Sequence, residues 1–244
     1  MAHGASETND VLAGKRTGPA GGYPVRWRRS TRARRVSLRI DARAGEVVVT
    51  LPPRANRRAG MALLTTHSAW VMEKLAALSP HVALAPGSEV PLGGVPHVIR
   101  WAPKGEATGE VAAWLEPGAI AVGGAADDLP RRVAEFLRAE ARRRMEVLSA
   151  GHAARLGVRP KALRLKDTRS RWGSCAPDGT LAFSWRLVMA PDWVLDYVVA
   201  HEVAHLRELN HSPRFWAHVS RLTPHRAAAV EWLRLNGPAL LRVG

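Results

Sequence analysis

Apolar and polar residues alternate through "VRWRRSTRARRVSLRIDARAGEVVVTLPP", residues 25–53. Val36, Leu38 and Ile40 take every second position, Ala44-Gly45 marks a turn, and Val47 to Val49 return, which predicts a β-hairpin. Pro52-Pro53 stops its second strand. From Asn56 to Leu78 the period becomes helical, with Met61, Leu64, Trp70, Val71, Leu75 and Leu78 at steps of three and four, so one helix is expected. Pro86 to Val122 is rich in Gly and Pro, and its short runs "VPHVIRW" and "AIAV" read as strands. A carboxylate pair before Pro130 opens a second helix, expected to reach about Leu156 and to end at Gly157.

"ALRLKD" and "GTLAFSWRLVM" then read as strands, and within "SRWGSCAPDGTLAFSW" a Pro-Asp-Gly turn joins two of them. Ala190-Pro191-Asp192 starts the next helix, with Pro191 at its first position and Asp192 complementing the positive end. The chain has no internal repeat. Strands with one helix, more strands, then a helical end give an α+β fold rather than strict βαβ alternation. The expected divisions are a disordered tail at 1–22, a β-rich region with one helix at 23–125, and a catalytic region at 126–244.

Composition narrows the class. Hydrophobic residues are 46% of 244, enough for a sizeable core. No apolar run reaches the ~18 residues of a membrane span. The first 22 residues lack the charged start and apolar centre of a secretory signal, and Cys175 is the sole cysteine, so a cytoplasmic setting without disulfides is expected. The net charge of +15 admits an anionic partner, a nucleic acid or nucleotide included. Arginines are scattered as well as clustered, so a compositional bias explains the charge equally well. The densest cluster, Arg26 to Arg39, alternates with apolar residues like one face of a strand.

The chemistry concentrates in "HEVAHLRELNH", residues 201–211. His201 and His205, four apart on an expected helix, share a face about one turn apart and can ligate one Zn²⁺. Glu202 points about 100° away, poor as a ligand but well placed to take a proton from an activated water. A catalytic zinc needs a third ligand. His211 qualifies if the helix breaks between Leu206 and His211, with Asn210 in the left-handed conformation and Ser212-Pro213 starting a new helix. The alternative is a solvated helix face, which the apolar run "VLDYVVA" opposes. Arg171 on the neighbouring strand is a candidate for binding an anionic group or oxyanion, Trp172 for packing or stacking on substrate, and Asp196 for orienting a ligand imidazole. Tyr197, Phe215 and Trp216 are expected to wall the site.

Arg171-Trp172-Gly173-Ser174-Cys175, Gly179, Asp196 to Val199, the histidine motif, Asn210-His211-Ser212 and Phe215-Trp216 together resemble the YgjP-like metallopeptidase family, relatives of the SprT-type zinc proteins. The likeness spans about residues 25–235. It implies a zincin-like core binding Zn²⁺ through His201, His205 and His211, with Glu202 as general base and a peptide or protein substrate. Glu231 is the alternative third ligand. Some relatives are described as acting on UTP as pyrophosphatases, so a nucleotide substrate stays open, as does a nucleic-acid-associated role for the Arg26–Arg39 cluster.

Overall fold

A computed structural model describes residues 16–17, 22–102, 113–168 and 171–244. Most of the segment expected as a tail lies outside them. Arg16–Thr17 (β1), within that segment, pairs antiparallel with Pro24–Arg29 (β2). The chain divides into two compact units, residues 1–79 and 80–244.

In the first unit the hairpin is present. Ser37–Asp41 (β3) pairs antiparallel with Glu46–Leu51 (β4), and Gly45 takes the left-handed φ of 64° that the turn requires. The sequence pattern does not reveal that β2 lies parallel to β4 on its other side, giving the order β1-β2-β4-β3. Val25, Val47, Val49 and Leu51 face Leu64 and Val71 from the helical layer. That layer is two helices rather than the expected one: Arg57–Thr66 (α1) and Ser68–Ala76 (α2), parted at His67, whose φ and ψ are −106° and 16°. The cause is local. Thr65 and Thr66 turn their hydroxyls back onto the carbonyls of Met61 and Ala62 at 3.1 and 3.0 Å, which loosens and bends a helix. Much of the basic cluster has structural partners: Arg26 pairs with Asp41 and Glu46, both at 2.7 Å, and Arg29 donates to the carbonyls of Pro52 and Ala55.

The second unit carries two sheets and the remaining helices. Glu89–Leu92 (β5), Val95–Ala102 (β6), Ala113–Glu116 (β7) and Ala119–Gly123 (β8) form a sheet of order β5-β6-β8-β7. Leu129–Leu156 (α3) ends at Gly157, left-handed at φ 62°. Its Val133, Leu137, Ala141 and Met145, four apart, are fully buried in the same core as Ile99, Ile120 and Val122. Ala162–Lys166 (β9), Gly173–Cys175 (β10) and Thr180–Ser184 (β11) form a sheet of order β10-β11-β9, with β11 parallel to β9 and antiparallel to β10.

The run "GTLAFSWRLVM" is not one strand, because Trp185–Met189 coils into a 3₁₀ turn. A largely apolar run cannot distinguish the two, since Thr180 to Met189 are buried throughout. Within that turn Arg186, only 1% exposed, bonds Asp167 at 3.1 Å and the carbonyls of Leu240 and Val243, tying down the C-terminal end. Three helices complete the unit: Asp192–Ala204 (α4), Pro213–Leu222 (α5) and Arg226–Leu240 (α6). The fold is α+β. No helix among the described residues is long and apolar enough to cross a membrane.

Candidate metal centre

Helix α4 is buried nearly all round, with Val194, Leu195, Val198, Val199, Val203 and Ala204 in the core. This holds the backbone of His201 and Glu202 rigidly. The helix ends at Ala204, sooner than expected, with His205 as its cap. The chain tightens there: Leu206 N–H reaches Val203 O and Arg207 N–H reaches Ala204 O, both at 3.0 Å. Asn210 is not left-handed, since no non-glycine residue described has positive φ. Its side chain instead accepts from Ser212 N–H at 3.0 Å, an Asx turn that reverses the chain. Ser212 then caps α5 by accepting from Phe215 N–H, with Pro213 in the first turn as expected.

The reversal brings His211 back over α4. Ring centroids lie 5.0 Å apart for His201 and His205, 5.1 Å for His201 and His211, and 4.9 Å for His205 and His211. One donor atom from each lies within 4.8 Å of the others. Phe215 floors all three at 4.4 to 4.9 Å, and Trp216 stacks on His211 at 5.5 Å. Tyr197 stands edge-on to His201 at 5.9 Å. Glu231 is engaged by Arg234 at 2.7 and 2.8 Å and is not in the cluster.

The donor set suits a divalent cation. His205 Nδ1 lies 3.0 Å from Glu208 O, and because a carbonyl only accepts, the proton sits on Nδ1 and Nε2 keeps its lone pair. Nε2 of His211 and Nε2 of His201 face each other at 3.2 Å. Tetrahedral ligation at ~2.0–2.1 Å spaces ligand atoms about 3.3 Å apart, close to that separation. Burial, with the charges of His205, His211 and Arg226 adding to it, pushes His201 down to about 4. Burial lowers His205 as well. Neutral rings are what ligation requires.

Glu202 turns away from this face, as its position on the helix predicts. It is 6% exposed and lies against β10. A Cβ built on Gly173 would stand 2.6 Å from both Cγ and Oε1 of Glu202, so only glycine leaves room for the carboxylate. Burial pushes Glu202 up to about 7, against the lowering effects of the Arg171 charge and the Cys175 backbone N–H. A carboxyl near neutrality can both take and return a proton. Cys175 is half-buried, and burial, with Glu202 and Asp178 nearby, raises its pKa, so it stays a thiol.

Arg171 is exposed, and Trp172 is half-buried against Gly237 of α6, where a Cβ would come within 2.9 Å of the ring. Asp196 does not orient a ligand imidazole. Its Oδ1 accepts from His152 Nε2 at 2.8 Å, across to α3. Three residues of the site had drawn no individual reading from the sequence: Gly173, the Cys175 N–H and Arg226. Glycine inside a strand was a usable signal of close approach; nothing in the sequence marks the other two.

A helix bearing H-E-x-x-H, with a third histidine returned to it, offers three imidazoles that could hold one metal ion. The family comparison agrees. Residues 34–236 match the YgjP-like family, described as a metallopeptidase domain, and the chain belongs to that family. Among solved structures it is similar to the metallopeptidase zymogen of Pyrococcus abyssi abylysin, with 23% identity over 38% of this chain and 92% of that one and a TM-score of 0.34. Comparison with curated proteins found no match.

Proposed function

We propose that the protein is a zinc-dependent peptidase with a zincin-like catalytic region, in which His201, His205 and His211 hold Zn²⁺ and Glu202 is the general base. The observation that carries this reading is the convergence of three ring nitrogens within 4.8 Å, with a buried glutamate directly following the first of them along the helix. When bound, the ion supplies Lewis acidity, making water more acidic and polarising a peptide carbonyl. Glu202 accepts the proton of the attacking water on its carboxylate and returns it to the leaving amine. The Cys175 N–H and the bare Cα of Gly173 fix that carboxylate in place. Phe215 and Trp216 exclude water from the far side of the histidines. The family match supports a peptide or protein substrate and gives no support to a nucleotide or nucleic acid. Glu202→Gln should retain zinc and lose about 10²–10⁴-fold in kcat, the usual contribution of general-base catalysis. Full turnover in that variant removes Glu202 from the reaction.

A further inference from the structure

Two exposed guanidinium groups, one near the histidines and one near Glu202, make no ion pair among the described residues. Arg226, exposed at the start of α6, lies with Cζ 3.4 Å over the Trp216 ring. Trp216 in turn lies 5.5 Å from His211 and 5.9 Å from His201. The charge of Arg226 bears on His201 and Tyr197. Arg171, also exposed, bears on Glu202 and borders a cleft of about 230 Å³ with Trp172, Leu233, Gly237, Pro238 and Leu241. Arg234 shares that cleft, but Glu231 already neutralises it at 2.7 Å. Unpaired cations beside a site favour an anionic visitor, and the guanidinium fork matches a carboxylate. The apolar lining of the cleft suits the methylene groups of one side chain that ends at Arg171.

Resting on the metallopeptidase reading, we propose that the site selects acidic peptides, with Arg171 at the cleft beside Trp172 and Arg226 over Trp216 each receiving a substrate carboxylate. Arg226 is a specificity residue held over the indole face, and Arg171 is its counterpart beside β10.

The test compares two fluorogenic peptides on the zinc-loaded full chain, identical except that Glu residues flanking the scissile bond in one are Gln in the other. The acidic peptide should be preferred in kcat/KM, mainly through KM, because these contacts hold substrate and transition state alike. Arg171→Gln and Arg226→Gln should each lower the acidic-to-neutral ratio about 1.4- to 5-fold, the range for exposed charge pairs. Gln keeps a planar group over Trp216, and Arg226→Lys, which keeps the charge, should preserve most of the preference. A purely structural Arg226 would depress both peptides equally and leave the ratio unchanged, which overturns the proposal, as does equal kcat/KM for the two peptides on the wild type. Fluorescence anisotropy with zinc-loaded Glu202→Gln separates binding from cleavage. Tighter binding of the acidic peptide, lost in both arginine variants, upholds the inference even if neither peptide is cleaved, which would count against the peptidase reading alone. Pyrophosphate release from UTP that depends on both arginines, with no preference between the peptides, would assign them to a nucleotide and overturn the proposal.

Discussion

Gly173→Ala probes the contact on which the general base depends. The new methyl would stand 2.6 Å from Cγ and Oε1 of Glu202, where ordinary contact begins at 3.4 Å. The carboxylate must therefore retreat by about 1 Å. At 6% exposure Glu202 has little room to retreat without losing the Cys175 N–H. Gly173 lies in a strand and its φ is not positive, so alanine suits the backbone and the strain falls on the side chain. A hydrogen bond to a charged group contributes about 1.5–3 kcal/mol, and a displacement of about 1 Å can cost a catalytic group ~10²-fold. Together these predict a fall in kcat of about 10- to 100-fold. Overpacking should also lower stability by about 1–3 kcal/mol, a Tm decrease of roughly 2–12 °C in a chain of this size. Initial rates on a cleaved peptide, with zinc quantified in the same samples, separate displacement of the base from loss of metal. Wild-type zinc content with kcat within about twofold of wild type would refute the close-contact account.

Chelation of the purified protein should lower its Tm, and zinc at about a hundredfold over Kd should restore roughly 5–10 °C; His201→Ala should show no such recovery. Asp196→Asn should cost about 1 kcal/mol near neutral pH, because it weakens a bond to His152, whose side chain is only 6% exposed. Burial alone would raise the Asp196 carboxyl, but hydrogen bonds from His152 and Thr223 outweigh it and hold the pKa below the usual range. Its stabilising contribution is therefore complete above about pH 4 and is lost as pH falls through the lower folded value. In urea titrations the gap between wild type and Asp196→Asn should narrow as pH falls below about 4, and a constant gap would contradict the assignment.

Much of the site's scaffold was legible because its signals are local. Pro130 and Gly157 bracket α3, and Ser212-Pro213 opens α5, through backbone rules that act within one turn. The period-two residues Leu38 and Ile40 place the hairpin for the same reason. What escaped depends on partners distant in sequence or on competing local bonds. Asp196 finds His152 forty-four residues away, and β2 joins β4 in parallel, which no alternation pattern encodes. Thr65 and Thr66 break a helix whose apolar period continues unchanged across the break. Asn210 reverses the chain through its side-chain oxygen rather than a left-handed backbone, so His211 arrives where it was expected by a different turn. Arg226 reaches the site only because α6 begins beside α5, and no spacing within the histidine motif points to it.

Zinc per chain, quantified on protein purified without added metal and on His201→Ala, His205→Ala and His211→Ala, tests the central claim most directly. The account predicts about one zinc per chain in the wild type and a large loss in every variant. Wild-type zinc retained in the His211→Ala protein would contradict a three-histidine centre.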